Sequence, residues 1–142
     1  MAKLEGELSE KVKELFDDIN SSYNFGDYNE VLSLLFDAWE LLPEPKYKWD
    51  ESYTIVGGVL DAAIRLNDSI TLMDWVDKIF LADPERIDSG EREMWAGRVF
   101  YELGKQEEAY NYFEKADIKS RGRCFWPSDK VYKNYYLKLK NK

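Results

Sequence analysis

The sequence predicts an all-α fold built from antiparallel helix pairs, and three observations carry that expectation. Apolar residues recur at spacings of three and four along most of the chain, which is the period of one helical face. No segment competes convincingly as a strand. Breaks at Gly26, Asn67 and Gly104 cut the pattern, each a residue type that suits a reversal of the chain.

Taken in order, Val12, Leu15, Phe16, Ile19 and Tyr23 form one stripe, so a first helix should stop near Phe25-Gly26. Val31 to Leu42 carries Leu32, Leu35, Phe36 and Trp39 on one stripe with Val31, Leu34, Ala38 and Leu41 beside it, before Pro43-Glu44-Pro45 ends it. So wide a stripe implies contact on two sides. A third helix over about Glu51 to Leu66 uses Ile55, Val56, Val59, Leu60, Ala63 and Ile64. Its β-branched start, Tyr53 to Val59, could be argued as a strand, against which stand Gly57-Gly58 and the helical spacing beyond. Asn67-Asp68-Ser69 offers turn and cap chemistry before a fourth helix, about Ile70 to Leu81. Ser89 is placed to cap a fifth that runs through Leu103. A sixth follows Gly104 to about Ile118, and residues 128–140 form a last amphipathic helix with Val131, Tyr132, Tyr135, Tyr136 and Leu139.

A chain of 142 residues is the size of one domain and can bury about two thirds of its unfolded surface, so a single domain over 1–142 is expected. The lone cysteine, Cys124, cannot form an internal bridge, the first residues lack the basic-then-apolar pattern of a secretory signal, and no apolar run suits a membrane span. A reduced, cytoplasmic setting follows as the expectation, with no membrane partner. The sequence has no histidine, which removes Ser-His-Asp and Cys-His nucleophile systems and His-ligated zinc. Residues 1–118 hold 12 Lys/Arg against 27 Asp/Glu, or -15, while residues 119–142 hold 8 against 1, or +7. An acidic body disfavours nucleic acid and favours a basic protein partner.

Within the helix pairs a repeat emerges. Each break is followed within six residues by a small or branched residue and, four further on, by a larger one: Val31/Leu35, Leu72/Val76, Ala109/Phe113. Pro43 and Pro84 each fall eight residues after the larger member. The third unit has Trp95, Gly97-x-x-Phe100, Gly104, Ala109-x-x-x-Phe113 and Ala116. This pattern resembles the tetratricopeptide repeat over about residues 10–118. The resemblance implies a right-handed helical solenoid of three antiparallel pairs with a C-terminal capping helix. Gly97 and Ala109 would let two helices cross closely while Phe113 and Trp95 fill the wedge alongside. The breaks lie 41 and 37 residues apart where the family has 34, and Ile19, Val31, Leu60 and Leu72 replace small residues, so a less regular superhelix is expected.

In that family the first helix of each unit lines a concave groove. Carried onto this chain, the partner-binding candidates are Asn20 and Tyr23, then Asp61 and Arg65, then Glu91, Met94, Arg98, Tyr101 and Glu102. The resemblance implies a protein-binding scaffold that is not an enzyme and needs no cofactor. A peptide-docking adaptor would use a basic carboxylate clamp, which Arg65 and Arg98 supply poorly beside Asp61, Glu91 and Glu102. Paired carboxylates such as Asp17-Asp18 read as solvated surface. The spacing of Asp68, Asp74 and Asp77 matches no calcium loop, so no metal is expected. Arg121 and Arg123 would favour a Cys124 thiolate, yet without histidine a structural thiol is the reading. Glu44-Pro45-Lys46 with Trp49-Asp50-Glu51-Ser52, and Lys119-Ser120-Arg121-Gly122-Arg123 with Phe125, look like segments of small single-domain tetratricopeptide-like bacterial proteins. Some of those accompany polymorphic toxins as immunity proteins, which implies a basic toxin domain as partner. The same segments also suit a linker and a cap.

Overall fold

The computed structural model describes residues 2–82 and 88–142. These hold seven α-helices: α1 Gly6–Asn24, α2 Tyr28–Leu41, α3 Asp50–Leu66, α4 Ser69–Trp75, α5 Glu91–Glu102, α6 Gln106–Ser120 and α7 Lys130–Lys140. Among the described residues the only extended pairing is a single bridge between Ala2 and Trp49. The all-α expectation holds, and Tyr53–Val59 lies inside α3. The chain divides into two compact units, Met1–Asp83 and Pro84–Lys142. Pro84, the partner of Pro43 in the repeat alignment, lies outside the described residues.

In the first unit Gly26 takes a left-handed φ of 74°, and Asp27 accepts the Glu30 N–H at 3.2 Å to start α2. The wide stripe of α2 does face two ways, against α1 and against α3. Its C-terminal carbonyls are closed by a cation: Lys46 Nζ donates to the carbonyls of Trp39 and Leu42, each at 2.8 Å. Trp49 Nε1 donates to the Pro43 carbonyl at 2.8 Å. The Pro43–Trp49 segment therefore acts as a cap and turn. Ile55, Val56, Val59 and Leu60 of α3 are fully buried. At the next reversal Asn67 adopts a left-handed φ of 53°, and Asp68 accepts from the Thr71 N–H at 3.1 Å and its hydroxyl at 2.6 Å.

The fourth helix departs from expectation. It is α-helical only to Trp75 and continues as a 3₁₀ helix over Val76–Phe80. A 3₁₀ turn brings residues three apart onto one line, and Val76 and Ile79 are the two that this line buries.

In the second unit α5 and α6 reverse at Gly104, whose φ is 77°. Gly97 faces Phe113 and Gly90 faces Ala116, so rising numbers on α6 meet falling numbers on α5 and the pair is antiparallel. A Cβ at Gly97 would come within 2.4 Å of the Phe113 ring, which makes the expected close crossing a matter of contact distance. Phe113, Ala109, Ala116, Met94, Cys124 and Tyr136 form the core. Trp95 does not fill the wedge beside Phe113. Its ring meets Trp126 edge-on, with centroids 6.3 Å apart.

Candidate interaction sites

Residues of α1, α2 and α3 line a groove of about 450 Å³ in the first unit. Phe16, Ile19, Val31 and Leu35 give it an apolar bed, while Asn20, Thr54, Tyr23 and Asp61 supply polar groups. The helical period explains the set: Phe16, Asn20 and Tyr23 follow one another by four and three on α1, as Thr54, Gly58 and Asp61 do on α3. Gly58 keeps the bed open, since a Cβ there would lie 3.1 Å from Leu35 Cδ1.

Beyond Asp61 the polar groups are tied together. Arg65 Nε donates to Asp61 Oδ2 at 3.1 Å, and its guanidinium lies 5.3 and 5.2 Å from the ring centroids of Tyr23 and Tyr28. Those two rings meet edge-on at 5.5 Å. Burial, and then the Asp61 carboxylate, push the Tyr23 hydroxyl above its ordinary pKa. Burial opposes the charge on Arg65, but Asp61 outweighs it and holds the guanidinium protonated. Thus Asn20, Tyr23 and Asp61 line one groove, and Arg65, neutralised by Asp61, sits beside it.

The candidates on α5 behave differently. Met94 is 1% exposed, and Arg98 is 4% exposed, so neither is the open groove contact that the family resemblance implied. Arg98 Nε and Nη2 donate to the two carboxylate oxygens of Asp129, both at 2.9 Å. Its guanidinium also lies 4.7 and 4.5 Å from the ring centroids of Trp95 and Trp126. The reason is long-range: Asp129 stands 31 residues further on, and only folding reveals it. Tyr101 is half-buried against Tyr132 and Tyr135, at 5.4 and 5.0 Å. Glu102 is exposed and accepts the Tyr132 hydroxyl at 2.8 Å. Burial first, and Glu102 second, raise the pKa of that phenol.

Glu91, Met94 and Arg98 do share a cavity of about 380 Å³, with Ser89, the end of α6 (Lys119, Ser120), and Arg123, Cys124 and Trp126 of the following loop. The last five, and Ser89, were not among the predicted site residues. The signals for those five were the switch to a basic chain at residue 119 and the 119–123 segment, which reads in the sequence as a partner-related motif or a cap. Lys119 Nζ donates to Glu93 at 3.0 Å. Burial pushes the Cys124 thiol up, against the thiolate that neighbouring arginines would favour, so it packs as a neutral side chain.

No family model, curated protein or solved structure matches the chain. Among the described residues no helix is long and apolar enough to cross a membrane.

Proposed function

We propose that the chain is a non-enzymatic protein-interaction module of tetratricopeptide-like helix pairs, and that its first unit receives a basic protein. What supports the reading is the groove lined by Asn20, Tyr23 and Asp61, which draws on the first helices of two successive pairs and sits on a strongly acidic unit. Residues 1–83 hold 7 Lys/Arg against 18 Asp/Glu, or -11. Such a field steers cationic partners and raises association rates most at low salt. Rigid rings such as Tyr23 give contact area at small side-chain entropy cost.

A basic toxin domain, for instance a nuclease whose own site must attract phosphates, has the complementary charge. An immunity protein would neutralise it by occlusion and needs no chemistry. The generic scaffold reading shares the groove and differs only in the partner. The test is capture of partners from the native host, followed by titration of the purified partner with its activity as readout. An immunity role requires stoichiometric loss of toxic activity, with Asp61→Lys slowing association at least severalfold in low salt and less so in high salt. Exclusively acidic partners, or unfolded clients bound without regard to Asp61, would overturn the proposal.

A further inference from the structure

The polar end of the first unit's groove is occupied from within the chain. Tyr23 and Asp61 line that end, and Arg65, one turn further along α3, lays its guanidinium 5.3 and 5.2 Å from the ring centroids of Tyr23 and Tyr28 while Nε donates to Asp61 Oδ2 at 3.1 Å. A carboxylate beside two aromatic rings is a surround that suits a guanidinium. Arg65 is also the one arginine among residues 1–83, where 18 Asp/Glu face 7 Lys/Arg, so the site stands in a field that draws further cations to it.

The hold on Arg65 is loose. Arg98 shows what a fixed arginine looks like in this chain: buried, with Nε and Nη2 each 2.9 Å from an oxygen of Asp129. Arg65 reaches its carboxylate through Nε alone, its Nη1 lies 3.5 Å from the Tyr28 hydroxyl, and the side chains of Arg65 and Asp61 are 43% and 32% exposed. An exposed pair spaced four apart on one helix contributes little to stability, so Arg65 can leave at small cost and an incoming side chain can reach the carboxylate. A guanidinium arriving from outside is free to approach in the two-pronged geometry that Arg65 does not make.

We propose that Arg65 is an exchangeable occupant of a guanidinium site formed by Tyr23, Tyr28 and Asp61, and that an arginine of the basic partner replaces it there. The groove supplies the second contact. From Thr54 to Asp61 is seven residues of α3, about 10 Å of helix, which about three extended residues span. An apolar side chain about three positions from the partner's arginine then lies against Phe16 and the bare backbone of Gly58. The exchange rests on the groove reading proposed above, and it adds the side chain that the partner supplies and the residue of this chain that competes with it.

Titration of the full isotope-labelled chain with the peptide acetyl-Leu-Ala-Ala-Arg-amide, followed by amide chemical shifts, tests the exchange, and the shifts should centre on Tyr23 and Gly58. Citrulline in place of the peptide's arginine keeps the shape and removes the charge, and should weaken binding about fivefold or more. Glycine in place of its leucine should weaken binding through the apolar contact. Arg65→Gln should tighten binding by about two- to fivefold, the worth of an exposed ion pair, whereas Lys3→Gln, the same change of charge at an exposed position, should leave it unchanged. Asp61→Asn should weaken binding and abolish the gain from Arg65→Gln. An affinity unchanged or weakened in Arg65→Gln, an equal gain in Lys3→Gln, or equal binding of the citrulline peptide would overturn the exchange. So would the absence of peptide binding up to millimolar concentration; a host partner that still depends on Asp61 would then keep the groove reading, and one indifferent to Asp61 would remove both.

Discussion

The two units repeat one plan, a helix reversing onto its neighbour, with different materials. Residues 1–83 carry -11 and pack a mainly aliphatic interior in which Val31, Leu35, Ile55, Val56, Val59, Leu60 and Ile79 are buried, with Trp39 and Tyr53 as its buried rings. Residues 84–142 hold 13 Lys/Arg against 10 Asp/Glu, or +3. Their interior is built on rings, with Phe113 and Tyr136 buried and Phe125, Tyr132 and Tyr135 packed on them. It also takes polar groups inward: Arg98 pairs with Asp129, and the Tyr136 hydroxyl donates to Asp117 at 2.7 Å. A ring enclosed by other rings, as Phe113 is, has little room to shift when volume is added beside it. The second unit should therefore be the brittle one, to added volume and to altered charge.

The largest effect expected from this difference is at Asp129. Asp129→Ala leaves Arg98 charged, buried and unpaired, and also removes the acceptor of the Trp126 N–H, 2.8 Å away. Losing one member of such a pair costs about 3–5 kcal/mol. In the first unit the Asp61–Arg65 pair is open to solvent, its side chains 32% and 43% exposed, so Asp61→Ala should cost about 1 kcal/mol at most. Urea unfolding followed by fluorescence measures both. Equal losses would mean that the two units do not differ in how they use charge.

These contrasts were unequally legible in the sequence. Helix positions and reversals were readable because periodicity and turn residues are local: Gly26, Asn67 and Gly104 all sit in the left-handed region that ends a helix. The close crossing at Gly97 was readable only in part: the sequence pairs that glycine with Ala109, whereas the structure sets it against the Phe113 ring. Arg98 was not. A cation on the face assigned to the groove reads as exposed until an acid from a distant loop closes over it. The 3₁₀ continuation after Trp75 also escaped, because the spacing of Val76 and Ile79 fits either helix type and the choice is made by packing.

A single methyl group tests the packing half of the comparison. Gly97→Ala would drive a Cβ to within 2.4 Å of the Phe113 ring, and that ring is fully buried among Phe125, Tyr132, Tyr135 and Tyr136. With nowhere for the ring to go, a net loss of about 1–3 kcal/mol is expected, and Ala109→Trp on the facing helix should reach the upper end. Gly58→Ala is the counterpart in α3. Its Cβ would meet the flexible end of Leu35 at 3.1 Å, beside an open groove, and alanine regains about 1 kcal/mol of helix propensity. The two terms should nearly cancel, leaving stability within about 1 kcal/mol of wild type. Matching penalties in the two variants would show that both crossings are equally rigid and would remove the distinction.

The smallest effect concerns pH, and it separates two aspartates that are both held below their ordinary pKa. For Asp117 the chief cause is the Tyr136 hydroxyl, with Lys140 adding to it against the opposing effect of burial. For Asp68 the causes are the Thr71 hydroxyl and N–H. A carboxyl whose folded pKa is depressed contributes stability above its unfolded value of about 3.9 and loses it as pH falls through the folded value. Asp68 is a helix cap, and asparagine caps about as well as aspartate, so Asp68→Asn should change stability by a few tenths of a kcal/mol. Asp117→Asn removes a charged acceptor shared by Tyr136 and Lys140, and should cost about 1 kcal/mol at pH 7. That difference should shrink as pH falls below the unfolded value and the wild-type carboxylate is protonated. Unfolding curves for the two variants between pH 2 and 7 measure it. A penalty for Asp117→Asn that did not shrink on acidification would assign its effect to shape and not to charge, and the ring-and-carboxylate design of the second unit would lose its electrostatic half.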